Sequence, residues 1–377
     1  MPSSDSVPVP AASAASAPAV SPLDLAADVV TLTAAICDIE SVSRNEVALA
    51  DAIESALRPL AHLEVLRDGD TVIARTNLGR DERVVLAGHI DTVPLAAVPN
   101  LPTHRVDGEL RGRGTVDMKG GVAVMLRVAH EVNEPTRDLT FLFYECEEID
   151  DKYNGLARLA ATRPDLLEAS FAVLLEPTNA LIEGGCKGTL HASVVTTGVA
   201  AHSARPWNGH NAIHDAAEVL QRLQRYQART VEVDGLEYHE ALQAVGISGG
   251  VAGNVIPDRC AVNVNYRFAP DQNADEAFAH VQSVFDGFEV TFGDAADGAR
   301  PGLNLPAAQA FVEALGVAVG PKEGWTDVAR FSALGIPAVN YGPGDPNRSH
   351  TDDEGCPLPQ YSDAEAALLR WLAPTAT

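Results

Sequence analysis

The strongest constraint on folding in this chain is an alternation of short apolar runs with helical stretches, in which the runs give way to histidine or acidic residues. Apolar runs at 83–87, 139–144, 171–175 and 336–341 read as strands, and helical stretches stand at about 120–132, 155–167 and 307–315. Strands covered by helices on both faces read as continuous apolar runs. The alternation therefore predicts an α/β layer architecture, a mixed sheet flanked by helices. Earlier runs at 63–66 and 71–75 add two strands, and Leu25, Val29, Leu32 and Ile36 fall on one helical face ahead of them. Ser43-x-x-Glu46 offers a capping box for a second helix reaching about Leu57.

The middle of the chain has a different rhythm. A strand at 190–196, a helix at 211–226, strands at 244–249 and 261–267, a helix at 274–285 and a strand at 288–292 follow one another. This β-α-β-β-α-β order is the split βαβ unit of ferredoxin-like α+β domains. With 377 residues the chain is long enough for two cores. The expected organisation is a first domain of residues 22–187 and 295–377, an inserted domain at 188–294, and a disordered Ala/Ser/Pro-rich tail at 1–21.

A formal charge of −25 gives no electrostatic support for binding nucleic acid or an anionic membrane surface. No apolar run approaches the roughly 20 residues of a membrane-spanning helix. Cys37, Cys146, Cys186, Cys260 and Cys356 are scattered, without a C-x-x-C pair, which fits a reducing compartment. The first basic residue is Arg44, so the start lacks the charged region of a secretory signal. A cytoplasmic protein is expected.

The chemistry lies where the strands end. His89 and Asp91 follow the run 83–87, Glu147 and Glu148 follow 139–144, Glu176 ends 171–175, and His350 lies in the loop after 336–341. Asp117 sits in a Gly-rich loop just before a helix. Ligands of open α/β sheets bind beyond the carboxyl ends of strands, so these side chains can share one crevice. Imidazole nitrogen and carboxylate oxygen suit zinc, and hydrolases often hold two such ions together. Asp91 is spaced to accept the second N–H of His89. Of the two adjacent glutamates, one can bind metal while the other serves as general base.

Gly88-His89-Ile90-Asp91-Thr92-Val93-Pro94, Gly114-Thr115-Val116-Asp117-Met118-Lys119-Gly120-Gly121, Cys146-Glu147-Glu148, Leu175-Glu176-Pro177-Thr178 and Ser349-His350-Thr351 together resemble the signature segments of the M20 metallopeptidase family, in family order. The resemblance implies a zinc aminopeptidase-like domain binding two Zn²⁺ per subunit, with Co²⁺ able to substitute. By it, His89 and Glu176 hold one ion, Glu148 and His350 the other, and Asp117 bridges them. Glu147 becomes the general acid/base, with Asp91 behind His89. The inserted domain is similar to the family's lid, which in relatives forms a homodimer interface. His202, in Gly198–Pro206, is similar to a lid histidine that reaches the neighbouring subunit's site and holds an oxyanion. Arg267 and Asn254 resemble lid residues that hold a substrate carboxylate, and Lys187, Gly324, Thr326 and Asn347 are further candidate contacts. One departure is Ile149, where many relatives have Gly.

Within the family, the run 176–191, with Glu145-Cys146-Glu147-Glu148-Ile149-Asp150 before it, looks most like members that cleave an N-succinyl diamino dicarboxylate, so a small N-acyl amino acid is the expected substrate. Rival readings are an acetylornithine deacetylase, an aminoacylase or carboxypeptidase on the same scaffold, or a non-enzymatic binding module that keeps the fold. Two decoys are set aside. His210 and His214 are spaced as in H-E-x-x-H, but Asn211 replaces the glutamate. Gly246-Ile247-Ser248-Gly249-Gly250 matches a nucleophile elbow, yet the Gly253- and Pro257-containing segment after it is no helix.

Overall fold

The computed structural model describes residues 21–373, so the tail expected at 1–21 lies almost wholly outside the described residues. The apolar runs assemble into an eight-stranded mixed sheet in the order Glu64–Asp68, Thr71–Arg75, Asp138–Tyr144, Arg83–His89, Phe171–Leu174, Ala338–Asn340, Ile182–Gly184 and Val319–Pro321. Its four middle strands, from Asp138–Tyr144 to Ala338–Asn340, run parallel. Their carboxyl ends therefore share one edge of the sheet.

Alternate residues of these strands feed two cores. On one face Val84, Leu86, Phe141, Phe143 and Val173 pack with helices Val29–Cys37, Val47–Leu57, Lys119–Glu131, Pro306–Leu315 and Leu358–Leu372. On the other, Val85, Ala87, Leu142 and Leu174 meet helices Gly155–Thr162 and Val328–Ala333. The buried helix Lys119–Glu131 sits close to the sheet because Gly121 has no side chain. A Cβ there would lie 2.1 Å from the carbonyl oxygen of Leu175. This close approach sets the Asp117 loop beside the segment carrying Glu176.

A separate antiparallel sheet of four strands orders as Ala241–Gly249, Arg259–Phe268, Gly188–Thr197 and Glu289–Ala296. Helices Ala212–Arg225 and Ala274–Val284 contribute Ala212, Ala216, Val219, Ala277 and Val281 to its own apolar core. The strand order is that of a ferredoxin-like unit. Ser248 lies within the strand Ala241–Gly249, as expected for a decoy.

Two features depart from the sequence reading. A hairpin, Thr230–Val233 and Leu236–His239, interrupts the expected β-α-β-β-α-β order between helix Ala212–Arg225 and the next strand. It folds back on the first sheet: the Tyr238 hydroxyl donates to the Gly184 carbonyl at 2.7 Å, and Asp234 pairs with Arg300. The second departure is the capping box. Helix Val47–Leu57 has no side-chain cap. Ser43 instead donates to Asp91 at 2.7 Å, and the buried Glu46 carboxylate accepts the Cys146 N–H at 3.2 Å and the Arg44 N–H at 2.9 Å. The buried, distant partners Asp91 and Cys146 outweigh a local cap.

Candidate metal centre

His89 ends its strand and is buried. Its Nε2 lies 3.1 Å from Asp117 Oδ1, and its Nδ1 lies 3.3 Å from Asp91 Oδ1. Asp91 also accepts the backbone N–H groups of Glu147 at 3.0 Å and Glu148 at 3.2 Å. Asp91 thus joins His89, whose Nδ1 also lies 3.1 Å from the Asp91 carbonyl oxygen, to the loop bearing both glutamates. Across the cluster, His350 Nε2 lies 3.4 Å from Asp117 Oδ2 and 3.0 Å from Glu148. Asp117 therefore stands between the two imidazoles with one oxygen toward each. Donor atoms of His89, Asp117 and Glu148 all lie within 4.8 Å of one another. Glu176 is buried nearby in sequence to its strand end, and its Oε1 has no hydrogen-bond partner.

Local backbone geometry at the rim is unusual. Cys146, just before the paired glutamates, has φ +59° and His350 has φ +65°, a left-handed region that costs a non-glycine residue roughly 1–2 kcal/mol. Glu46 holds Cys146 there through both its N–H and its thiol. Ile149 is not among the positive-φ residues, so the path after Glu148 requires no glycine.

The electrostatics are those of too many carboxylates for the positive charge at hand. Burial, reinforced by Asp327, Glu176 and Glu148 against the pull of His89, lifts the Glu147 carboxyl well above its usual range. Burial and then Asp117 push Glu176 up to about 7. Hydrogen bonds to Asp117 and Glu148 push His350 up to about 10. For His89, burial pulls downward, but Asp117 and Asp91 outweigh it and hold the imidazole well above its usual value. The protonated imidazoles answer a demand for positive charge that divalent cations also meet. Imidazole nitrogens interleaved with carboxylate oxygens are a donor set for zinc-type ions. A buried, unsatisfied carboxylate oxygen costs on the order of 1–3 kcal/mol, and a cation relieves that cost at Glu176. The residues present fit a two-metal centre.

Beside Glu147 a cavity of about 780 Å³ opens between the two sheets, lined by Ile149, Asp151, Thr189, His191, Trp325 and Arg330, among others. Thr189 and His191 face Arg267 and Asn265 across the smaller sheet. Arg267 Nε donates to Asn265 Oδ1 at 3.0 Å, and Asn265 Nδ2 lies 3.0 Å from His191 Nε2. His191 and Asn265 escaped the sequence reading, although their period-two spacing from Thr189 and Arg267 puts all four on one face.

The remaining candidates fall in different places. His202 is exposed in a two-residue ladder with Val255–Ile256, next to the exposed Asn254. Gly324 and Asn347 are exposed, the latter bonded to Asp345 at 2.8 Å. Lys187 and Thr326 are not open contacts: the Lys187 ammonium pairs with Glu323 at 2.5 Å, and the buried Thr326 hydroxyl donates to Asn340 at 2.9 Å. Both side chains are consumed in joining segments of the fold.

A carboxylate-bridged pair of histidines at the carboxyl edge of a parallel-centred sheet, with a free glutamate beside them, defines a metal-dependent hydrolase. The chain belongs to peptidase family M20/M25/M40, whose model matches residues 85–373. It is 46% identical over 362 residues to a succinyl-diaminopimelate desuccinylase of Corynebacterium glutamicum, covering 93% of this chain and 98% of the relative. A Mycobacterium tuberculosis protein, provisionally named for the same activity, is 54% identical over 353 residues, covering 93% and 99%. Among solved structures, a tripeptidase from Staphylococcus aureus shares the fold with a TM-score of 0.75 at 20% identity, covering 91% of this chain and 96% of that one. A dinuclear metal-binding M20 peptidase from Bacillus subtilis matches with a TM-score of 0.67 at 19% identity, covering 91% and 96%.

Proposed function

We propose that the chain hydrolyses the amide bond of N-succinyl-LL-2,6-diaminopimelate to succinate and LL-2,6-diaminopimelate, a step of diaminopimelate and lysine biosynthesis. The observation that carries this reading is identity of 46% over nearly the full length of a relative named for that reaction. In this reading His89 and Glu176 hold one Zn²⁺, Glu148 and His350 the other, and Asp117 both, with Co²⁺ able to replace either. When bound, the two cations act as Lewis acids toward water and the amide carbonyl oxygen.

The chain's own residues move the protons. Glu147 takes a proton from the attacking water and delivers it to the leaving amine nitrogen. A carboxylate that accepts a proton in one step can return it in the next, as base and then as acid. Asp91 accepts the Nδ1–H of His89, which directs Nε2 toward Asp117.

Residues 188–294 act as a lid. Arg267 holds a substrate carboxylate, and with its Nε occupied by Asn265 the terminal guanidinium nitrogens remain for a two-pronged contact. Asn254, beside His202 at the other end of the strand Arg259–Phe268, serves the site of a second copy. Gly324 and Asn347 stand at the rim, and Lys187 and Thr326 brace it. The strand Ala241–Gly249 is an edge strand with Val245 and Ile247 exposed, and Val251 follows it, 85% exposed. An open, apolar edge of this kind pairs readily with a second copy. In that homodimer His202 donates to the developing oxyanion of the partner's site. The working compartment is the cytoplasm, and the substrate is a small N-acyl amino acid. No helix among the described residues is long and apolar enough to cross a membrane.

Turnover of N-succinyl-LL-2,6-diaminopimelate compared with N-acetylornithine tests the assignment. A site that pairs the succinyl carboxylate is expected to prefer the first by roughly 10²-fold or more in kcat/KM. Preference for the acetyl substrate overturns it.

A further inference from the structure

We propose that the buried pair Arg113–Glu354 is a positioning device that fixes Asp117 and His350 relative to each other, acting through the backbone rather than by touching a cation. The inference rests on the assignment of Asp117 and His350 as metal ligands. Arg113 and Glu354 have side chains 4% and 0% exposed, and Arg113 Nη1 lies 2.8 Å from Glu354 Oε2.

The other oxygen of Glu354 accepts two successive amides, Val116 N–H at 2.9 Å and Asp117 N–H at 3.1 Å. Its own carbonyl accepts the Gly112 N–H at 3.0 Å. Glu354 therefore grips the Asp117 loop at both ends. Arg113 reaches the opposite way, donating to the carbonyl of Thr351 at 3.3 Å, one residue beyond His350. The strand Glu109–Arg111 pairs with Gly355–Pro357 and continues the link. Each of the two ligand loops is thus tied to the other by one ion pair, and His350, half-exposed and at φ +65°, needs such a tie to hold its angle.

A bland alternative is that the pair merely stabilises the fold. Replacing a buried ion pair is often neutral for stability when no other buried group loses its partner, a condition met where residue 354 keeps an acceptor for the two amides, so the two readings separate there. Metal-free enzyme carrying Arg113→Met with Glu354→Leu loses both ties. Arg113→Met with Glu354→Gln keeps an acceptor for the two amides and loses the ion pair and the link to Thr351. The probe is Co²⁺, titrated into each metal-free protein by calorimetry and by its visible absorption, with thermal unfolding of the metal-free forms as the control.

Affinity is expected to fall roughly 100-fold in the Leu variant and roughly 10-fold in the Gln variant, as for loss of outer partners at metal sites. The cobalt spectrum should change with it. If the Leu variant does not fold, the Gln variant carries the comparison. Wild-type affinity and spectrum in a folded variant overturn the proposal, whatever happens to thermal stability. Asp117→Ala in parallel separates the two layers of inference. Weakened binding there with unaltered binding in the pair variants refutes the clamp alone, whereas unaltered Asp117→Ala refutes the ligand assignment beneath it.

Discussion

Glu147→Gln is expected to lower kcat by roughly 10²–10⁴-fold, the usual worth of a positioned general acid/base, while both metal ions stay bound. The side chain makes no hydrogen bond to either imidazole, and the backbone N–H that fixes its loop is held by Asp91, which the substitution leaves alone. Glutamine preserves shape and burial but carries no proton between water and leaving group. It also removes a carboxyl that burial and neighbouring acids place under strain, so the folded protein loses no stabilising charge. Turnover measured beside zinc content per chain checks both halves. Full activity moves the proton-transfer role to another group.

Asp117→Ala is expected to cost more. Its two oxygens face His89 and His350 separately, 3.1 and 3.4 Å away, so under the proposed assignment one deletion removes a ligand from both cations at once. Affinity should fall by well over the roughly 10–100-fold typical of losing an outer partner, and hydrolysis should fall to background. Asp117→Asn keeps one carbonyl oxygen and should lie between the two. The loop itself should persist, because Glu354 holds it by the amide of residue 117. Zinc per chain after dialysis reads the effect, and a full complement of two in the alanine variant contradicts it.

The middle of the main sheet was legible because continuous apolar runs such as 83–87 and 139–144 are what burial on both faces demands. The proximity of His89 and Glu148 was legible for a related reason: both are polar residues set within a few positions of the ends of those runs. Three-residue strands such as Ile182–Gly184 and Val319–Pro321 carry no periodic pattern and exist only through their neighbours. The hairpin at 230–239 is a different case. Asp234-Gly235 between alternating residues is a strong two-residue turn signal, and both residues have positive φ, as that turn requires. The signal is local and needs no distant partner, so this hairpin is legible in the sequence. Glu46 and Glu354 could not have been found from spacing. Their partners Cys146 and Asp117 lie 100 and 237 residues away, and only the folded chain brings them together.

Anomalous diffraction at the zinc edge, from crystals of the zinc-loaded enzyme, addresses the centre directly. The arrangement described here predicts two peaks ~3.5–4 Å apart, one beside His89 and Glu176, the other beside Glu148 and His350, with Asp117 between them. A single peak, or a pair lying away from Asp117, would contradict it.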